Sequence, residues 1–385
     1  MNAQEIHVEI IGPPSVDGAT GIGRTLESLL HPASAAEHVH IRVARQRSLP
    51  LSNTFTPLKQ LPLAIEKHRP GAIVHFAQIV GCAQLRWNPV HPALVTVHDL
   101  GVLECAEDAA MFNAVERTLL NLQFRGLLHA DAFACVSRTT AQSLATTLGI
   151  PAGRIHITYH AIDRAIFRHV GGARGHLANR FGIAFKEGQH TLLYVGNELP
   201  RKNLFRLLEA LAICRARGER LRLIKVGDSG GPRWRNLTLA AAERFKLGVG
   251  TDILFAGRVA DEDLPYFHAA ADAFVTASLL EGFGLPVAEA MACGTPVACS
   301  NAGALPEITG GAAALFDPHD PENIASVLTA ILHDSARLAE MRSSGWKRAD
   351  SLNREAHSSP LLAIYEALAW QAAGNIHHTA PKDTL

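Results

Sequence analysis

An excess of charge of one sign is absent: Lys+Arg and Asp+Glu number 36 each, so the formal net charge is zero. No global field then draws the chain to nucleic acid or repels a phosphorylated substrate, and no nucleic-acid partner is expected. The twenty histidines add positive charge only below neutrality. A C-x-x-C pair is also missing. Cys82, Cys105, Cys135, Cys214, Cys293 and Cys299 are scattered, mostly inside apolar runs such as 132–137 and 295–299, and read as small core residues in a reducing compartment. No run of about 18 apolar residues occurs, and residues 1–12 lack the cationic start and long apolar stretch of a signal peptide. The expected location is cytoplasmic, either free or peripheral to the inner face of a membrane. There is no internal repeat of fixed period.

What is present is bulk and rhythm. At 385 residues, 48% hydrophobic, the chain exceeds one ordinary core, and two domains are expected. Short β-rich runs at 6–12, 40–44, 72–77, 94–98, 132–137 and 155–160 alternate with segments of helical periodicity such as 108–128, the pattern of a parallel sheet covered by helices. The rhythm breaks over 168–188, rich in Gly, Arg and His, and restarts at 190–196, 221–227, 252–257, 273–277, 295–300 and 312–316. The expected organisation is a Rossmann-like domain at 1–170, a linker at 171–188 and a second Rossmann-like domain at 189–350. A C-terminal helix at 351–373 then packs back across the domains through Leu361, Leu362, Ile364, Tyr365 and Leu368, and 374–385 is a tail. The fold class is α/β, with two doubly wound parallel-sheet domains. Each places ligand at the carboxyl ends of its strands, so a cleft between them is the expected site.

Charge is unevenly distributed. Residues 38–86 carry Arg42, Arg45, Arg47, Lys59, Lys67, Arg69 and Arg86 against Glu66 alone. Two readings stand side by side: a solvated face of unrelated elements, or a patch facing an anionic membrane surface.

The most informative segment is Glu281-Gly-Phe-Gly-Leu-Pro-Val-Ala-Glu289, after the 273–277 run and leading into a helix that starts near Pro286. Proline suits a first helical turn, and Gly282 and Gly284 let backbone approach a ligand. Free N–H groups there can take a diphosphate or sugar hydroxyls against Phe283, Gly284 and Leu285. Glu281 at the mouth and Glu289 in the helix can reach different parts of one ligand, a sugar ring and a ribose. Acidic residues near a helix's positive end would explain either glutamate, but not both together with the glycines and Pro286. The second segment runs from a buried strand through Gly196 to Arg201-Lys202-Asn203 and a helix from Leu204. Cations at a helix N-terminus oppose its dipole and ask for a reason, and a diphosphate supplies one.

On these residues the sequence resembles the family-4 retaining glycosyltransferases of the two-Rossmann-domain (GT-B) fold. Glu281 and Glu289 stand as the E-x7-E element and Arg201 and Lys202 as the diphosphate pair. The resemblance runs from about residue 10 to 327, closely in the second half and in fragments in the first. It implies that Glu281 contacts the transferred sugar, Glu289 the ribose, and Arg201 with Lys202 the leaving diphosphate. Gly21-Ile-Gly23-Arg24 matches the family's first glycine loop, and Thr96-Val-His98-Asp99 the histidine that reaches the sugar from the opposite wall. One departure is plain: the family often has Asn-Gly before an Ile-Asp pair, whereas His160-Ala161 precede Ile162-Asp163 here.

The glycines at 18–23 also look like a short-chain dehydrogenase loop. That chemistry needs a Tyr with Lys four residues on, and Tyr159, Tyr194, Tyr266 and Tyr365 are followed at that spacing by Asp163, Glu198, Ala270 and Ala369. His98 ends an apolar strand, where an imidazole is either a satisfied core residue or a ligand. Asp261-Glu262-Asp263 resembles a metal-binding D-x-D, but its setting argues for an N-cap and acidic first turn before Leu264. No metal or other cofactor is expected, since Arg201 and Lys202 offset the diphosphate charge. The expected donor is GDP-mannose or a UDP-sugar, and the acceptor a glycan or lipid-linked glycan. The rival readings are a sugar-nucleotide epimerase or hydrolase, and a non-catalytic sugar-nucleotide-binding partner.

Overall fold

Short runs of apolar and β-branched residues form two parallel sheets of six strands in the computed structural model, which describes residues 5–12, 38–45, 69–79 and 81–374. The chain divides into two units. One takes the chain up to Leu103, Ala109–Ala161 and the stretch from Arg354 onward; the other takes Glu104–Asp108 and Ile162–Asn353.

The first unit contains β1 (Ile6–Gly12), β2 (Val39–Arg45), β3 (Ile73–Phe76), β4 (Ala93–Val97), α1 (Ala114–Leu127), β5 (Ala132–Cys135), α2 (Arg138–Leu148) and β6 (Ile155–Ile157). The strand order is β2-β1-β3-β4-β5-β6. Strands β3, β4 and β5 are buried at every position, as parallel strands covered on both faces must be. Helix α1 starts at 114 rather than 108 because Asn113 and Glu116 form a reciprocal capping box. Ser137 caps α2, and Gly149 in the left-handed region ends it.

The second unit contains α3 (Ala173–Phe181), β7 (His190–Val195), α4 (Leu204–Ala216), β8 (Leu221–Val226), α5 (Pro232–Arg244), β9 (Ile253–Gly257), α6 (Leu264–Ala270), β10 (Ala273–Thr276), α7 (Leu285–Ala292), β11 (Val297–Ser300), α8 (Leu305–Thr309), β12 (Ala314–Phe316), α9 (Pro321–Leu332) and α10 (Ser335–Ser351). The order is β12-β11-β10-β7-β8-β9. From β7 the chain builds outward through β8 and β9, then crosses back to β10 on the other side. The connections leaving β7 and β10 therefore diverge, opening a crevice beyond the carboxyl ends of those strands. The 171–188 stretch carries α3, tied to α6 by Arg180 and His176 against Asp263.

The last helix, α11 (Arg354–Ala373), belongs to the first unit. Its Leu361, Ile364, Tyr365 and Leu368 are buried with Ile6, Val8 and Ile10 of β1, Ile73 of β3, and Leu94 of β4. The opposite face of that sheet packs Ile11, Val74, Val95 and Phe133 against Phe124 and Leu127 of α1 and Leu144 of α2. Each such aliphatic burial contributes roughly 1.5–3 kcal/mol, so α11 is an integral layer of the first unit.

Candidate active site

The crevice beyond β7 and β10 gathers two cations and one carboxylate. The loop after β7 brings Arg201 and Lys202, and the loop after β10 brings Glu281. Lys202 Nζ donates to Glu281 Oε1 at 2.5 Å, while Arg201 Nη1 lies 3.8 Å from Glu281 Oε2 and donates to the Leu280 carbonyl at 3.2 Å. Ser278 Oγ donates to the same Glu281 Oε1 at 2.7 Å. Burial alone would push the Glu281 carboxyl up. The charges of Lys202 and Arg201, with hydrogen bonds from Lys202 and Ser278, outweigh it and hold the group below the usual carboxylate range. Glu281 is therefore an anion held between two cations.

Backbone geometry fixes this cluster. Asn203 takes a left-handed conformation at φ 54, which Asn adopts more readily than most residues. Its amide donates to the carbonyls of Ala277 at 3.0 Å and Pro318 at 2.7 Å, joining the ends of three loops. The Leu279 amide adds a bond to the Arg201 carbonyl at 2.8 Å. Gly303, at φ 58, lies so close to residue 281 that an added Cβ would sit 2.7 Å from its amide nitrogen and 2.8 Å from its carbonyl oxygen. A buried ion triad braces the other flank. Lys225, on β8, donates to Glu198 Oε1 at 3.1 Å and to the carbonyls of Gly227 and Asp228 at 2.7 Å each, and Arg235 of α5 pairs with the same carboxylate at 2.6 Å.

Gly196 closes β7, its amide bonded to the Val226 carbonyl at 3.0 Å. A Cβ on Gly227 would come within 2.8 Å of the Gly196 carbonyl oxygen, so two glycines permit this close approach. Gly284 occupies the left-handed cap before α7, with Pro286 in the first turn. Phe283 is buried beside it, Leu285 opens the helix half-buried, and Glu289 lies within α7 at 1% exposure. Asp263 does not cap α6 through its side chain; its carboxylate is taken by Arg180 and His176, which outcompete the helix amides. Among the described residues no group of three or more His, Cys, Asp or Glu side chains is placed to hold a metal ion.

In the first unit, His98 follows β4 directly. Its Nε2 lies 2.8 Å from the Ala77 carbonyl, and its ring stacks on His160 with centroids 5.4 Å apart and planes 19° from parallel. Gly21 and Gly23 lie outside the described residues. So do Arg47, Lys59 and Lys67 of the basic stretch. Of its other members, Arg42 lies 3.9 Å from Glu9, Arg69 bonds His7 at 3.1 Å, and Arg86 is the exposed last residue of an otherwise buried 3-10 turn. All six cysteines are buried free thiols. No helix among the described residues is long and apolar enough to cross a membrane.

Asn203, Ser278, Gly303 and the Lys225 triad are the positioning residues to which the sequence assigned no role. Only Asn203 carried a local signal, an Asn between a cation and a helix start.

Two doubly wound units with these strand orders make a GT-B fold. Thermosynechococcus elongatus sucrose-phosphate synthase superposes at a TM-score of 0.76 with 23% identity, over 94% of this chain and 99% of that one. Anabaena HepE in complex with UDP and glucose gives 0.71 with 17% identity, over 94% and 100%. Residues 3–165 match the Glycosyltransferase Family 4 model and 177–348 the Glycosyl transferases group 1 model. The O-antigen chain mannosyltransferase B of Escherichia coli is 32% identical over 268 residues, 66% of this chain and 67% of that protein. The chain belongs to the family-4, group 1 glycosyltransferases and is a hexosyltransferase.

Proposed function

We propose that the protein transfers a hexose, mannose in the first instance, from a nucleotide-diphosphate sugar to a hydroxyl of a glycan or lipid-linked glycan, with retention of anomeric configuration. The observation that carries this is the Arg201, Lys202 and Glu281 cluster at the switch point of the second sheet. The second unit holds the donor and the first, with its basic 38–86 stretch, the acceptor. Arg201 and Lys202 grip the diphosphate with help from the N-terminus of α7 and from the loop at Gly196. Glu281 orients the sugar, and Glu289 takes the ribose. The cations offset the diphosphate charge, so a divalent metal is not needed for departure.

As the anomeric C–O bond breaks, negative charge accumulates on the leaving phosphate, where the fixed cations stabilise it most. The acceptor hydroxyl forms the new C–O bond from the same face, and its proton passes to the departing phosphate oxygen. Glu281 serves as a sugar-binding group, its charge stabilised by Lys202. GDP-mannose is the favoured donor because the similar O-antigen protein is a mannosyltransferase; the UDP and glucose held by HepE keep UDP-sugars as the competing choice.

A melting-temperature panel with GDP, UDP and their sugars tests the donor, since ligand at 100 times its Kd stabilises by about 2.7 kcal/mol. NMR of the product's anomeric proton tests retention. An inverted linkage, or stabilisation by neither nucleotide, sinks this assignment; donor turnover without transfer would point to a hydrolase or epimerase.

A further inference from the structure

Three strand ends of the first sheet converge on one imidazole. The Ala77 carbonyl, just past β3, can only accept, so His98 Nε2 carries the proton in their 2.8 Å bond. Nδ1 is left with its lone pair, and His98 in this tautomer is an acceptor for a hydroxyl. The ring is backed by His160, which follows β6, is 5% exposed and lies nearly parallel to it. His160 stands where the family often has Asn. The stack is anchored in turn: His357 of α11 donates from Nδ1 to the carbonyl of Tyr159, the residue before His160, at 2.6 Å. The terminal helix thus holds the turn that holds the ring.

We propose that His160, tethered through Tyr159 to His357, is a positioning residue that fixes the His98 imidazole as a hydrogen-bond acceptor for a hydroxyl of the transferred sugar. This rests on the reading that His98 contacts that sugar. Its surroundings suit a neutral ring. The ionisable groups whose fields reach the His98, His160 and His75 imidazoles include one another, His357 of α11 and Asp99 on the loop of His98, and the Tyr365 hydroxyl bonds His75. Thr140 Oγ1 of α2 donates to the His98 carbonyl at 3.4 Å. Burial holds His98 below the ordinary imidazole range, with the Ala77 bond and Asp99 opposing. Burial and the fields of His98 and His357 lower His160 further.

The test compares His98→Ala, His160→Ala, His160→Phe and His357→Ala in the full chain, using the donor that the nucleotide panel selects. Steady-state constants, pH profiles and melting curves are read for each. His160→Ala is expected to cut kcat/KM for donor by about 10- to 100-fold, the scale of a ring displaced by an ångström, with KM for acceptor unchanged. The acid limb of its profile should move up toward an ordinary imidazole. His160→Phe, which keeps the stacked ring, should return kcat/KM to within about threefold of the parent; His357→Ala should fall between the two. If His160→Ala melts like the parent and keeps the parental kcat/KM and acid limb, the positioning role is overturned. It is equally overturned if His160→Phe, folded, is as damaged as His160→Ala. Full activity in His98→Ala is a distinct result, removing the sugar contact itself while leaving the stack as architecture.

Discussion

Glu9 near Arg42 in the first unit and His268 in the second aside, the two units bury polarity in opposite ways. The second buries charge in matched sets: Lys225 with Glu198 and Arg235, and Lys202 with Glu281. The first buries neutral imidazoles. His75 is fully enclosed between the Tyr365 hydroxyl at 2.7 Å and the Thr96 hydroxyl at 2.8 Å, and burial lowers it to about 3. His98, His160 and His357 are also held down chiefly by burial. A region built to meet a diphosphate whose charge grows needs fixed cations, and these stay in place only with buried counter-ions. A region that meets a sugar hydroxyl through a neutral imidazole, as proposed for His98, can use an oriented dipole without charge. On the proposed function, the difference in burial chemistry is the division of labour between leaving group and hydroxyl recognition.

Breaking a matched set should cost most. Lys225→Met leaves Glu198 buried with one partner fewer, and a loss of about 3–5 kcal/mol in a urea melt is expected; Lys225→Met with Glu198→Leu should recover part of it. A single-variant loss under about 1 kcal/mol would mean that water reaches the carboxylate and that the second unit does not depend on matched charge. Lys202→Ala comes next, with kcat reduced about 100- to 1,000-fold and donor binding weakened less, because the cation is worth most once the bond is breaking. An unchanged turnover number would remove Lys202 from the chemistry.

Why one region was more legible follows from chain distance. Arg201 with Lys202, and Glu281 with Gly284 and Pro286, each lie in one short segment. Their strand-turn-helix setting is local and could be read from spacing. What holds them is not local: Asn203 reaches Pro318, and Gly303 backs onto Glu281. Glu198 and Lys225 come from different strand ends, so in sequence each looks like an ordinary solvated charge. The His98 and His160 stack joins residues from two strands across an intervening one, and periodicity does not encode that. The apolar stripe of α11 was plain, but a stripe tells which face is buried and not which sheet buries it. Asn113 and Glu116, by contrast, are a local capping signature that the 3.6-residue pattern alone overran by several residues.

Acid should separate the units. A histidine whose folded value is lowered binds fewer protons folded than unfolded, so its contribution is complete above about 6.5 and is lost as pH falls. For His75, between pH 6.5 and 5, that is about 2 kcal/mol. Glu198 and Glu281 are held below the usual carboxylate range, against the opposing effect of burial, by their cationic partners. Their contributions therefore persist until pH drops below about 4.5. Hydrogen exchange followed by peptide at pH 7 and pH 5 should show α11 and β3 opening first while β7 and β8 stay protected. Simultaneous loss would erase the contrast, and His75→Gln should flatten the slope.

The smallest effect sharpens the contrast with matched substitutions. Tyr365→Phe removes the hydroxyl from His75 Nδ1 deep in the first unit, and Tyr194→Phe removes the one that donates to the Asn197 carbonyl at 2.7 Å in the second. Both rings are fully buried, so lost volume is negligible and the difference is the fate of the abandoned partner. His75 has 0% exposure, and its Nδ1 then stays desolvated at a cost of about 1–2 kcal/mol. Asn197 is half-buried; its carbonyl has a second lone pair and access to water, and roughly 0.5–1 kcal/mol is expected. Chemical melts of the two variants under one condition read the difference directly. Equal losses would indicate that water enters both sites alike, and the closed, neutral character of the first unit's interior would have to be given up.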